Sequence, residues 1–296
     1  MNIGIVGQGF VGSAIREGLK DFYDVKAYDI VPEKCFNLKF NELHEVVNFS
    51  DIIFVCIPTP MRKSGECDTR LLESVIEQIE TTYTSRAPRH SGFLDSVGTN
   101  RPRPTLVIKS TIPPGTTDRI AEKYVKFDIC FSPEFLTEAN SFEDFKNQTR
   151  IIIGGHGARK VKQMFRKVFP DIPIVVTKSR TAEMVKYFTN CFLATKVTFA
   201  NQMYDICEES DIDYDKVCEY ALYDSRIGRS HLAVPGPDGD KGFGGHCFPK
   251  DLAAMIYFAE SYEVQPTLLQ SVERSNKHYR KNEDWKQMTG RAVSED

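Results

Sequence analysis

Met1-Asn2-Ile3-Gly4-Ile5-Val6-Gly7-Gln8-Gly9-Phe10-Val11-Gly12 opens the chain with a short apolar run, a glycine turn and a stretch suited to a helix. The run from Asn2 to Val6 reads as a buried strand. Gly7, Gly9 and Gly12 follow it in GxGxxG spacing, which carries meaning only between a strand and a helix. Glycines there permit a tight turn and a close backbone approach to a pyrophosphate, while a helix starting at Phe10 and Val11 offers N–H groups and a positive dipole. Asp29 ends the next apolar run, where a carboxylate accepts hydrogen bonds from the adenosine ribose and repels a 2′-phosphate. NAD is therefore expected rather than NADP. The plainer alternative is an ordinary βα turn followed by a helix-capping acid.

Working outward, apolar β-branched runs at 2–6, 25–29, 52–57, 105–109, 127–131, 150–153 and 174–176 alternate with helical patterns near 11–19, 69–83, 116–124 and 158–169. That alternation predicts an α/β fold, a Rossmann-like, doubly wound and mostly parallel sheet with strands buried on both faces. From Ser179 to Ser210 there is no Gly or Pro, and apolar residues recur at helical spacing, which predicts one long central helix. Helices near 214–223, 251–261 and 267–279 complete a helical domain. The expected division is a cofactor-binding domain at 1–178, a central domain at 179–280 and a frayed polar tail at 281–296. Residues 85–104, rich in Ser, Pro, Gly and Arg, read as a loop insertion of low order.

Composition removes several classes. With 38 Lys+Arg against 41 Asp+Glu the net charge is −3, which supplies no excess of cations for nucleic-acid phosphates. The longest apolar run, Ile52 to Ile57, falls far short of the roughly 20 residues that span a membrane, so a soluble, cytoplasmic protein is expected. The eight cysteines lie far apart with no CxxC, so neither a metal site nor a disulfide framework is expected.

Gly242-Phe243-Gly244-Gly245-His246-Cys247-Phe248-Pro249-Lys250-Asp251 is the most informative stretch for chemistry. It places Cys247 after flexible backbone, with Lys250 and Asp251 at a helix start, and both a cation and a helix N-terminus favour the thiolate. A buried thiol in a Gly-rich loop is the alternative. Lys186 and Asn190 stand four apart on the long helix, on one face, and suit an oxyanion site, or else belong to a solvated stripe. The segments Lys109–Gly115 and Ser132–Glu138 end strands at the carboxyl edge of the sheet. There Thr111 and Glu134 are candidates to meet cofactor and substrate, the carboxylate positioning a water or taking a proton. As isolated strand-end turns they would be structural.

Together these motifs resemble the nucleotide-sugar dehydrogenase family, the UDP-glucose and GDP-mannose 6-dehydrogenases. The resemblance runs through Gly7–Gly12, Pro58-Thr59-Pro60, Lys109–Thr116, Pro133–Glu138, Lys186–Asn190, Ser225-Arg226-Ile227-Gly228 and the segment around Cys247. It implies a four-electron oxidation of a sugar C6 alcohol, most simply that of UDP-glucose, to the uronate, with NAD as cofactor. Cys247 would form a thiohemiacetal and then a thioester, Lys186 and Asn190 would stabilise oxyanions, and Asp251 would hold the hydrolytic water near Thr111 and Glu134. By the same carry-over Pro58, Thr59, Pro60, Ser110, Thr111, Glu138 and Lys250 would lie along the cofactor. Glu134, Phe135, Leu136, Glu138, Phe243 and Gly244 would touch the sugar nucleotide, and a homodimer would form through the long helix.

Two features depart from the family pattern. Members normally continue into a third, nucleotide-binding domain, so a short form is expected whose third domain is absent or supplied by another chain. The segment 231–241 looks longer than usual, and it makes Arg226 and Lys241 candidate anion contacts or simply forms a surface turn. Two other functions remain in view. A two-electron β-hydroxyacid or 6-phosphogluconate-type dehydrogenase would leave Cys247 idle, and a non-catalytic NAD- or sugar-binding subunit would bind without turnover.

Overall fold

The computed structural model describes residues 1–35, 42–84 and 103–295, so residues 85–102 of the expected loop insertion lie outside the described residues. The chain divides into two compact units, Met1–Thr59 with Thr69–Lys186, and Pro60–Asp68 with Tyr187–Asp296.

In the first unit the elements are β1 (Asn2–Val6), α1 (Phe10–Leu19), β2 (Asp24–Tyr28), α2 (Leu43–Phe49), β3 (Ile52–Val55), α3 (Arg70–Thr84), β4 (Thr105–Ile108), α4 (Thr116–Lys123), β5 (Asp128–Phe131), α5 (Ser141–Lys146), β6 (Ile151–Gly155), α6 (Ala158–Val168) and β7 (Ile174–Thr177). The strands form one sheet in the order β2-β1-β3-β4-β5-β6-β7, antiparallel only between β5 and β6. This is the doubly wound arrangement expected from the alternation of runs. Successive side chains point to opposite faces of a strand, so Ile52 and Phe54 join Ile3, Ile5, Ile15 and Phe165 on one side while Ile53 and Val55 join Val6, Leu72 and Ile76 on the other. Each fully buried aliphatic side chain contributes about 1.5–3 kcal/mol. Because β1 lies between β2 and β3, the winding direction reverses at its carboxyl end, and ligands bind at such crevices. The helices α2 and α5, of 7 and 6 residues, add to the elements expected from the sequence, and each is too short for a helical period to emerge.

α7 (Ser179–Glu209) is a single helix of 31 residues. The second unit adds α8 (Tyr214–Ala221), α9 (Phe248–Ser261) and α10 (Thr267–Tyr279), packed around Cys191, Ala194, Phe243, Leu252 and Val272. α9 starts at Phe248, three residues before the expected start, because Pro249 sits in the first turn where no N–H is demanded.

The expected frayed tail is overturned. A 3₁₀ turn at Asp284–Gln287 buries Trp285, Ala292 is wholly buried, and backbone bonds of 2.9 and 2.8 Å join Met61 to Ala292 and Ser294. One large aromatic and paired backbone outweigh the polar composition. Among the described residues no helix is long and apolar enough to cross a membrane, and no group of three or more His, Cys, Asp and Glu residues could hold a metal ion.

Candidate active site

In the first unit the glycine turn sits at the carboxyl end of β1. Gly7 has φ +94°, and a Cβ there would strike the Cys56 carbonyl. Gly9 is the N-cap of α1, and nothing lies within 4 Å of where its Cβ would be, which leaves a cradle open beside the helix N-terminus. Gly12 packs against the turn, while Phe10 and Val11 start the helix. The Asp29 carboxylate accepts the Gln8 N–H at 2.6 Å and the Val31 N–H at 2.9 Å. A carboxylate has about four lone-pair positions, so it retains acceptors for ribose hydroxyls. The cradle and the acid fit a dinucleotide. Asp29→Asn is expected to raise the Kd for NADH about tenfold, through loss of a charge-assisted hydrogen bond, and to relax rejection of NADPH. Fluorescence titration with both nucleotides checks this.

The ends of β3 and β4 are stitched together. Ser110 Oγ donates to Ile57 O at 2.5 Å and accepts Ile57 N–H at 3.1 Å, and Thr59 Oγ1 donates to Thr111 O at 2.6 Å. Pro58 stands exposed between them, while Thr111 is buried.

At the end of β5, Lys186 Nζ donates to Glu134 O at 2.8 Å and lies 3.1 Å from Glu134 Oε1, both side chains being under 10% exposed. Phe135, Leu136 and Glu134 line a cavity of about 250 Å³ together with Lys109 and Arg150, whose guanidinium stacks 4.3 Å above the Phe135 ring. Glu138 is exposed.

Lys109, directly after β4, is the second buried cation here. Its Nζ lies 3.2 Å from Pro133 O and 3.5 Å from Ser132 Oγ. Burial pushes the ammonium down to about 8, against the pull of Glu134 and Cys56, with Lys186 adding to the fall. Below pH 8 the buried charge costs stability in full, and the cost is relieved as pH rises toward 10.5, where the unfolded chain alone still holds the proton. Burial also raises the Cys56, Cys130 and Cys191 thiols, which erodes stability above pH 9. The clean observable is therefore the difference between wild type and Lys109→Met. Wild type is expected to gain about 3 kcal/mol on the variant between pH 8 and 10.5 in urea unfolding.

In the second unit Cys247 is the N-cap residue of α9 and half-buried. The Asp251 carboxylate is clamped from both sides, by Lys250 Nζ at 2.5 Å and Asn190 Nδ2 at 2.5 Å, all three being buried. Burial alone would lower the Lys250 ammonium, but Asp251, Cys247 and Cys67 beside it more than reverse this and hold it well above its ordinary value. Lys250 therefore stays cationic in the first turn of α9, three residues after Cys247.

Other candidates stand differently. Arg226 is exposed and forked onto Asp224, with Nε at 2.9 Å and Nη2 at 2.5 Å. Lys241 pairs with Asp205 at 2.6 Å above the Tyr204 ring. Phe243 is buried in the core, and its N–H and C=O are both bonded to Asn276. Gly244 is crowded by Asp284 and Arg280. Pro60, at the edge of the second unit, accepts the Asp68 N–H at 2.8 Å.

Residues 13–172 match the sequence profile of the UDP-glucose/GDP-mannose dehydrogenase family, NAD binding domain, and residues 180–278 match the central domain of that family. The putative UDP-glucose 6-dehydrogenase YtcA of Bacillus subtilis is 31% identical over 275 residues, covering 88% of this chain and 58% of that protein. The UDP-glucose 6-dehydrogenase TuaD of the same organism is 31% identical over 279 residues, covering 90% and 56%. The chain thus spans somewhat over half the length of these relatives. Among solved structures it is similar to a UDP-glucose dehydrogenase from Pyrobaculum islandicum, with TM-score 0.79 and 29% identity over 94% of this chain and 68% of that one. A Mycobacterium tuberculosis 3-hydroxyisobutyrate dehydrogenase, at TM-score 0.68 and 15% identity over 94% and 93%, shares the fold alone.

Proposed function

The chain belongs to the UDP-glucose/GDP-mannose dehydrogenase family, whose NAD-binding and central domains it carries, and we propose that it oxidises the C6 alcohol of a nucleotide sugar to the uronate, UDP-glucose being the leading substrate. The observation that carries this reading is Cys247 at the N-cap of α9, followed within one turn by a cationic Lys250 and a buried Asp251. A two-electron dehydrogenase has no use for such a thiol.

NAD would be held by Gly7–Gly12 and Asp29, with Pro58, Thr59, Ser110, Glu138 and Lys250 as further proposed contacts, and would supply the hydride acceptor for both oxidations. Cys247 adds to the C6 aldehyde to give a thiohemiacetal, and at the thioester level it keeps the sugar on the protein until water releases it. Lys186 and Asn190, one turn apart on α7, stabilise the oxyanions. Asp251 orients the hydrolytic water, and Thr111 and Glu134 are further proposed catalytic residues. Phe135 and Leu136, which line the cavity beside Glu134, contact the sugar nucleotide.

Initial rates with UDP-glucose, UDP-N-acetylmannosamine and GDP-mannose test the substrate. UDP-glucose is expected to give the highest kcat/KM, and a preference for GDP-mannose would overturn that choice. We also propose a homodimer through α7, whose Phe188, Phe192, Phe199 and Ile206 are 70, 61, 59 and 49% exposed along the helix. Such a continuous apolar stripe is rare on a monomer. Sedimentation equilibrium is expected to give a dimer, and a monomer at micromolar concentration would contradict it.

A further inference from the structure

The glycine loop that carries Cys247 is fastened at Gly242, Phe243 and Gly245. Gly242 N–H donates to Asn201 Oδ1 at 3.1 Å, Phe243 N–H to Asn276 Oδ1 at 2.8 Å, and Gly245 N–H to Asp284 Oδ2 at 3.0 Å. The three acceptors come from α7, α10 and the 3₁₀ turn at Asp284–Gln287.

Behind them stands Arg280, whose side chain is only 2% exposed. Its Nη1 lies 2.6 Å from Asp238 and 3.6 Å from Asp240, Nη2 donates to Asp284 Oδ1 at 3.2 Å, and Nε donates to Asn282 O at 2.8 Å. One guanidinium therefore joins the 236–240 turn to Asp284, and the other oxygen of Asp284 holds Gly245, two residues before Cys247. A buried arginine cannot shed its proton, and its planar fork spreads five donors over three nitrogens in fixed directions, whereas a lysine offers donors from one nitrogen only. Three carboxylates around one cation would repel one another if it left. The arrangement also explains the glycine at 244, because a Cβ there would strike Asp284 Oδ1 and the Arg280 guanidinium. The same contacts give the segment 231–241 a use, since it delivers Asp238 and Asp240 to Arg280.

We propose that Arg280, with Asp238, Asp240 and Asp284, is a latch of positioning residues that fixes the glycine loop and so sets where Cys247 stands at the start of α9. Its importance for turnover rests on the reading of Cys247 as nucleophile, but the latch itself is measurable without substrate.

The test is amide hydrogen exchange of segment 241–247 in the full chain, read by mass spectrometry, for wild type, Arg280→Lys, Asp284→Ala and Asp284→Asn. Iodoacetamide labelling of Cys247 runs alongside, with half-buried Cys218 as internal control. Arg280→Lys and Asp284→Ala are expected to speed exchange in that segment about tenfold or more, since exchange follows local opening. Asp284→Asn, which keeps an acceptor for Gly245 N–H, is expected to speed it less. Labelling of Cys247 is expected to rise in the same order, with Cys218 and the helices α9 and α10 unchanged. Unchanged exchange at 241–247 in Arg280→Lys would overturn the latch. So would uniform acceleration across the second unit, which would mark a general stabilising role. If wild type makes no NADH from any nucleotide sugar, the functional reading fails while these measurements still decide the latch. If it does turn over, Arg280→Lys is expected to lower kcat with KM for NAD unchanged, and a loosened loop with unaltered kcat would refute the positioning role.

Discussion

Replacing Cys247 by serine is expected to cut uronate formation from UDP-glucose by at least about 10³-fold, the order found when a nucleophile that acts as one unit with its neighbours is removed. The first oxidation does not need the thiol, so the variant is expected to release aldehyde with one NADH per sugar, slowly, instead of carrying the sugar through a thioester. NAD affinity should not change, because serine for cysteine leaves the glycine turn, Asp29 and Lys250 in place. Mass spectrometry of the products with parallel NADH absorbance measures both outcomes. Full uronate formation by the serine variant would refute the covalent route.

The second large effect is expected at Lys186. Its ammonium and the Glu134 carboxylate face each other at 3.1 Å with almost no solvent. Lys186→Met strands a buried carboxylate, which costs about 3–5 kcal/mol, toward the lower end because the Lys109 cation lines the same cavity. Loss of an oxyanion donor is expected to lower kcat by about 10²–10³-fold as well. The two effects separate in the double variant Lys186→Met/Glu134→Gln, which removes both charges. Urea unfolding at pH 7 is expected to show most of the stability restored while turnover stays low. Restored turnover would mean that the pair only supports the fold.

Local spacing made the cofactor turn legible. Strand, glycines and Asp29 lie within thirty residues, and each follows from backbone geometry that few other residues allow. The long helix was equally plain, because a stretch without Gly or Pro and with helical periodicity has few other conformations. The start of α9 is hidden in the sequence because Pro249 signals a break unless it falls in a first turn. The order of the tail is hidden because its composition is polar apart from Trp285, Met288, Ala292 and Val293, and one buried indole decides the matter.

At the site, residue types were readable and partnerships were not. Cys247, Lys186, Asn190 and Asp251 announced their chemistry, but Lys186 meets Glu134 across 52 positions and Asn190 meets Asp251 across 61. The role of Lys109 is hidden in the sequence because a lysine after an apolar strand ordinarily turns to solvent, whereas here it turns to Ser132 and Pro133 at the end of β5. Arg280 gave no signal at all. Its role exists only through Asp238 and Asp284, brought to it by folding.

The most direct measurement is the number of NADH molecules formed per UDP-glucose consumed, taken to completion with excess NAD. Two NADH and one glucuronate per sugar are the expected result, and they require that the carbon pass through both oxidation levels. One NADH with release of an aldehyde or ketone would contradict the four-electron mechanism and the role given to Cys247.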